Sequence, residues 1–351
     1  MTEIRVTIDN RAYVAPAGST ILDIARQNGV EIPTLCYHPK LSIVGACRMC
    51  VVEVVGSRGL MTACSTVATD GMQVISRSKT IDKSRKNVLE LLLSDHPMEC
   101  LTCEATGSCA LQQYAYEYDV KGTTYRSEDR DLKIDSDNPF YVRDMRLCIT
   151  CGLCVRVCDE VVGASALGFS NRGDRTFVGP AFGNSISEST CISCGSCVQV
   201  CPTGALTVKH ARNSRRTADI KRVRTTCSYC GVGCQMNLLV DKNKVVGVEP
   251  VDSPANEGFL CVKGRFGFNF INHPDRLTTP LIKKQGQFVE ATWEEALDLV
   301  AKRLGEIGRD YGPDSLAALS SARCTNEENY LLQKMFRAVI GTNNIDHCAR
   351  L

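Results

Sequence analysis

Nineteen of the 21 cysteines in this 351-residue chain fall into five tight sets, and a histidine joins one of them. Thiolates are soft ligands, so gaps of two or three residues repeated this often point to metal binding. The first set is Cys36, Cys47, Cys50 and Cys64, spaced C-x10-C-x2-C-x13-C. Four thiolates suit a [2Fe–2S] cluster, and zinc takes the same donors. The second set is His96, Cys100, Cys103 and Cys109; on spacing alone it fits zinc as well as a histidine-ligated cluster. The third set, Cys148, Cys151, Cys154 and Cys158, recurs 43 residues later as Cys191, Cys194, Cys197 and Cys201. In a two-cluster run of this C-x2-C-x2-C-x3-C form, the fourth cysteine ligates the other cluster. Cys148, Cys151, Cys154 and Cys201 are therefore expected to hold one [4Fe–4S] centre. Cys158, Cys191, Cys194 and Cys197 are expected to hold the second. Gly152 and Gly195 would let the backbone pass close to each centre and aim amides at its sulfurs. Asp159 stands where the second copy has Pro202. The fifth set is Cys227, Cys230, Cys234 and Cys261, where zinc again competes with a [4Fe–4S] cluster. Cys324 and Cys348 are left over and read as free buried thiols; His38 reads as a local or supporting residue.

These ligands need small modules to hold them. Ile4, Val6 and Ile8 alternate with polar residues as in a half-buried strand, and Ala12 to Val14 reads as its return. Thr20 with Asp23 opens a helix that Gly29 ends. Hairpin, helix and cysteine loop in that order suggest a β-grasp unit, with further strands at 49–55 and 60–63. Ile81, Val88, Leu89 and Leu92 form one face of a helix over 81–95. Residues 119–138 read as a linker or loop, and so does the basic run 210–224 with Arg212, Arg215, Arg216, Lys221, Arg222 and Arg224. Thr292 with Glu295 caps a helix to about Ile307, a strand runs from Ser315 to Leu319, and Thr325 with Glu328 caps a helix to about Ile340. That is the opening of an α/β domain.

With 41 basic and 39 acidic side chains the net charge is +2, which argues against a dedicated nucleic-acid binder. No run is apolar enough to span a membrane, and the N-terminus has no secretion signal. A cytoplasmic, reducing location is the expectation, and it disfavours disulfides, as does the odd cysteine count. The chain has no strand-to-helix G-x-G-x-x-G, so nicotinamide binding is expected on another subunit. Five clusters in one chain have one plain use, moving single electrons; a zinc-stapled scaffold is the rival on cysteine count alone.

The order of the motifs resembles known families. Residues 1 to about 210 are similar to the electron-transfer region of the large iron–sulfur subunit of complex I and of NAD-linked hydrogenases. From Thr226 onward the chain looks like the start of a molybdopterin oxidoreductase. That resemblance implies a [4Fe–4S] cluster on Cys227, Cys230, Cys234 and Cys261, with Lys263 as the electron relay between cluster and pterin. The segment 336–351 looks like the stretch just before the active site of formate dehydrogenases. The resemblance thus implies a molybdenum or tungsten enzyme with bis-molybdopterin guanine dinucleotide, acting on formate and CO2. Its partners would be NAD(P)- or ferredoxin-linked subunits of diaphorase or hydrogenase type.

The expected fold class is α+β and multi-domain. A β-grasp [2Fe–2S] ferredoxin-like unit spans 1–78 and a histidine-plus-three-cysteine [4Fe–4S] module 79–118. A two-[4Fe–4S] ferredoxin follows at 139–209, a molybdopterin-oxidoreductase [4Fe–4S] domain at 220–276, and the start of an α/β domain at 277–351. The catalytic selenocysteine or cysteine is expected directly after Leu351, with a UGA codon there for selenocysteine, so no catalytic residue is expected within the chain. The isolated α/β start is expected to be unstable. The alternative is an electron-transfer subunit of an NAD-linked hydrogenase or complex I-like enzyme, without molybdenum chemistry.

Overall fold

The computed structural model describes residues 2–125, 132, 134–209 and 219–348. It divides into two compact units, Met1–Ala218 and Asp219–Leu351.

The first unit begins with β1 (Glu3–Ile8) and β2 (Arg11–Pro16), an antiparallel hairpin. Helix α1 (Ile21–Gln27) follows, with the Thr20 hydroxyl accepting the Asp23 N–H at 3.1 Å and the Asp23 carboxylate accepting the Thr20 N–H in return. Strands β3 (Val51–Val54), β4 (Met61–Thr62) and β5 (Gln73–Ile75) complete a five-stranded sheet of order β2-β1-β5-β3-β4. β5 lies parallel to β1, with Ile8 opposite Val74. β5 gives no signal in the sequence, because a three-residue strand with one inward side chain shows no period. Val6, Ile8, Val52 and Val74 of the sheet pack against Ile21, Leu22, Ile24 and Ala25 of α1.

Helix α2 (Lys79–Leu93) buries Ile81, Arg85, Leu89 and Leu93, an unbroken i, i+4 stripe. The expected face therefore needs correcting. Arg85 belongs to it, while Val88 and Leu92 are only partly buried. Arg85 is 1% exposed, and its guanidinium donates to four acceptors. Nε reaches Met49 O at 3.1 Å, Nη1 reaches the Tyr118 hydroxyl at 2.9 Å, and Nη2 reaches Val51 O at 3.0 Å and Ser76 O at 3.2 Å. A buried guanidinium is tolerated because every one of these bonds is made. Helix α3 (Ala110–Glu117) packs on α2 through Leu111.

The rest of this unit is short. β6 (Ile134–Asp135) and β7 (Tyr141–Asp144) pair antiparallel, so 119–138 is not all loop. Asp135 supports that pairing with an ion pair to the buried Arg143 at 2.8 Å. α4 (Leu153–Arg156) continues into a π-helical turn, Val157–Val161. A hairpin of β8 (Gly168–Ser170) and β9 (Phe177–Gly179), α5 (Ser196–Val200) and β10 (Leu206–Val208), which pairs with β7, complete it.

In the second unit, β11 (Lys221–Thr226), β12 (Gln235–Asp241) and β13 (Lys244–Pro250) form an antiparallel sheet. Lys221, Arg222 and Arg224 are therefore strand residues and not linker. Their alternation with Val223 and Thr225 reads as a charge run only when the alternate positions are ignored. Arg222 pairs with Glu249 at 2.9 Å. Arg212, Arg215 and Arg216 lie outside the described residues. α6 (Val262–Phe266) precedes a hairpin of β14 (Leu281–Lys284) and β15 (Gln287–Glu290). α7 (Trp293–Tyr311), β16 (Ala318–Ser321), α8 (Asn326–Lys334) and β17 (Ile345–Cys348) follow, with β16 and β17 parallel. Both expected capping boxes form, at Thr292/Glu295 and Thr325/Glu328. α7 has no buried residue, and Trp293, Leu297 and Val300 stand exposed along it. Among the described residues, no helix is long and apolar enough to cross a membrane.

Candidate metal centres

None of the 21 cysteines forms a disulfide. In the first set, the β3–β4 turn brings Cys50 and Cys64 together, their sulfurs 3.3 Å apart. The Cys47 N–H points at the Cys36 sulfur at 3.4 Å. Hydrogen bonding within each pair lowers one thiol, Cys36 or Cys50, and raises its partner, Cys47 or Cys64. The charge of Arg156 further favours the Cys36 thiolate. His38 is local: its Nδ1 accepts the Lys40 N–H at 3.3 Å.

In the second set, His96 follows α2 and Cys109 caps α3. His96, Cys100 and Cys109 line a cavity of about 300 Å³ with Leu93, Met98 and Leu111. The Nδ1 atom of His96 is buried and makes no hydrogen bond. Burial lowers its pKa, leaving the neutral ring that a metal ligand must be. An unpaired buried nitrogen among thiols is what a metal would satisfy. Gly204, which carries no signal in the sequence, leaves room for Cys103. A Cβ there would stand 2.7 Å from the Cys103 sulfur.

The repeated motifs fold alike. Thr150 and Ser193 take left-handed backbone, as do Gly152 and Gly195. The Thr150 N–H points at the Cys148 sulfur and the Ser193 N–H at the Cys191 sulfur, both at 3.3 Å. Cys151 and Cys154 each feel the charges of Cys148 and Cys201. Cys197 feels those of Cys194, Cys191 and Cys158. Cys154 also feels Cys197, and Cys197 also feels Cys201, so the eight thiols of the two motifs lie close enough to influence one another. Burial pushes Cys151 and Cys197 up to about 12 and Cys154 well above the ordinary thiol value. Thiolates would exist here only beside compensating positive charge, which iron supplies. The Tyr141 hydroxyl, on β7, lies 3.2 Å from the Cys191 sulfur.

In the second unit, Cys227 is buried, Cys234 half-buried, and Cys230 and Cys261 exposed. Cys234 feels the charges of the other three. Gly264 sits against the set, where a Cβ would come 3.4 Å from the Cys227 sulfur. Lys263 is exposed on α6. Asn256 ties the local loops together, accepting from Gln235 N at 2.9 Å and donating to Val251 O and Phe259 O, each at 3.0 Å. The two leftover cysteines need correcting: Cys348 is exposed and Cys324 half-buried. Among the described residues, none of these groups closes to the spacing of a single metal ion.

Family models match along the chain. They are a 2Fe-2S iron-sulfur cluster binding domain at 1–79, the NADH-ubiquinone oxidoreductase-G iron-sulfur binding region at 85–123, and the NADH-quinone oxidoreductase subunit 3 ferredoxin-like domain at 138–207. A 4Fe-4S dicluster domain matches 190–237, a molybdopterin oxidoreductase Fe4S4 domain 220–273, and molybdopterin oxidoreductase 276–351. A solved chain from an NAD+-reducing [NiFe]-hydrogenase is 31% identical with a TM-score of 0.56, over 61% of this chain and 90% of that one. The chain belongs to the iron–sulfur molybdopterin oxidoreductases related to NADH-quinone oxidoreductase. The NADPH-Fe(3+) oxidoreductase subunit alpha of Geobacter sulfurreducens is 39% identical over 348 residues, 99% of this chain and 40% of that protein. YrhE of Bacillus subtilis, named as a candidate formate dehydrogenase, is 36% identical over 390 residues, again 99% and 40%. The chain thus spans about 40% of the length of these relatives.

Proposed function

We propose that this chain carries the electron relay of a molybdenum or tungsten formate dehydrogenase. One [2Fe–2S] cluster sits on Cys36, Cys47, Cys50 and Cys64. Four [4Fe–4S] clusters sit on the His96 set, the two exchanged ferredoxin sets and the Cys227 set. What supports the relay is the repeated C-x2-C-x2-C-x3-C spacing, on which Cys201 joins Cys148, Cys151 and Cys154, and Cys158 joins Cys191, Cys194 and Cys197. That spacing, with Cys201 followed by Pro202, is the run of two-cluster ferredoxins, which favours iron over zinc. When bound, the clusters supply one-electron capacity and the pterin metal the two-electron exchange with formate. In the first unit the protein's part is to shield thiolates from water and aim amide N–H groups at them. Lys263 is the relay between the Cys227 set and the pterin.

The formate assignment draws on the likeness to YrhE and on the segment 336–351. The experiment is to add formate anaerobically to the intact enzyme and follow the clusters by EPR. Formate reduces them if the assignment holds. The second reading, a hydrogenase- or complex I-type relay, is favoured by the solved hydrogenase chain. It predicts no molybdenum or tungsten, and clusters that NADH reduces and formate does not.

A further inference from the structure

The ten residues between Cys36 and Cys47 are more than the four of a plant-type ferredoxin loop, and the proposed ligation gives the extra length no task. The loop is held from outside by two residues of the ferredoxin motif. Arg156 lies between Cys154 and Cys158 at the end of α4. Its Nη2 donates to Cys36 O at 2.7 Å and to Cys151 O at 3.4 Å, its Nε to Gly152 O at 3.3 Å, and its Nη1 to Ser42 O. One guanidinium thus bonds the backbone of a cysteine from each of two sets, Cys36 and Cys151. Glu160, one turn on, accepts the Ser42 N–H at 2.8 Å and the Ser42 hydroxyl. All three polar groups of Ser42 are engaged by this pair. The matching residue in the second motif is Gln199, so the charge is not part of the motif's own needs.

We propose that Arg156 and Glu160 are a clamp that docks the Cys36–Cys47 loop on the ferredoxin module, with Arg156 the shared counter-charge of the two centres whose cysteine carbonyls it bonds. Arg156 is a positioning residue, and the inference rests on the cluster reading above. The exchange it serves moves one electron between the two centres; one is oxidised as the other is reduced, and no bond or proton changes. A fixed positive charge beside both stabilises both reduced forms, so it raises both potentials together. The planar fork suits this place because it can bond several carbonyls at once, which an ammonium on a flexible stem does poorly.

The test is a redox titration by EPR of the intact, cluster-loaded protein against Arg156→Gln, Arg156→Lys and Glu160→Gln. In R156Q the two-iron signal and one four-iron signal both move to lower potential. Each moves by about tenfold in its one-electron equilibrium, about 59 mV, and the other clusters stay. R156K keeps the charge, so both potentials remain within about twofold of the parent. Trypsin reads the clamp separately, because Lys40 lies in the docked loop. Cleavage after Lys40 speeds several-fold in R156K and E160Q. Should R156Q lose iron, these two variants decide, and unchanged cleavage in both overturns the clamp. Unmoved potentials in an iron-replete R156Q, or movement of one centre alone, overturn the shared charge. A parent without a two-iron signal instead refutes the cluster reading, before any variant is compared.

Discussion

The two halves of the internal repeat share their turns and part company just after them. Both begin with a cysteine whose sulfur receives an N–H at 3.3 Å, from Thr150 or Ser193, and both turn through a left-handed glycine. They diverge at Arg156 against Gln199, Asp159 against Pro202 and Glu160 against Thr203. Pro202 has no N–H to give, and α5 stops at Val200. Asp159 keeps its N–H, so the helix runs on as a π-helical turn and carries Glu160 to Ser42. Thr203 instead donates to Leu147 O at 2.8 Å, fastening its half back onto the first. The shared part of the motif holds the centre, and the divergent part decides what each half docks against.

The largest effect should come from the shared part. Cys201→Ala is expected to remove the cluster grouped with Cys148, and Cys158→Ala the one grouped with Cys191. Each loses about four irons and one EPR signal. Loss of the cluster belonging to the mutated motif instead would break the exchange. Next comes the divergent part. Asp159→Pro should destabilise by about 3 kcal/mol, because a ring inside a helical run clashes with the preceding turn. It also breaks the 2.6 Å bond from Ser165 to Asp159. Pro202→Asp should cost less than about 1 kcal/mol, since no helix continues there. Denaturant melts of the loaded protein compare the two, and equal costs would erase the difference drawn here. Gly152→Ala should cost about 1–3 kcal/mol by the same melts. Its φ is +72° and a Cβ would press Phe169 at 3.0 Å. The smallest effect is Tyr141→Phe, which removes the hydroxyl beside Cys191. The potential of the Cys158/Cys191 centre alone should fall, by less than about tenfold in its equilibrium, the scale of one hydrogen bond.

Much of this was legible because cysteine spacing and capping residues are local signals. The proposed exchange of fourth cysteines rests on spacing alone, and Thr20, Thr292 and Thr325 mark their helices through a side chain three residues away. What escaped depends on distant partners. Arg85 is absent from the expected helix face because its burial depends on the carbonyls of Met49, Val51 and Ser76. β5 exists because β1 and β3 flank it. Gly204 gave no signal, since its reason lies at Cys103, a hundred residues earlier. The clamp on Ser42 spans 114 to 118 residues, and only the unusual length of the first cysteine gap hinted at it.

The most direct test of the relay is metal and acid-labile sulfide analysis of the anaerobically purified protein, with EPR of its reduced form. One two-iron and four four-iron clusters predict about eighteen irons with matching sulfide and distinct two-iron and four-iron signals. Zinc at several equivalents, with little sulfide and no EPR signal on reduction, would contradict the account.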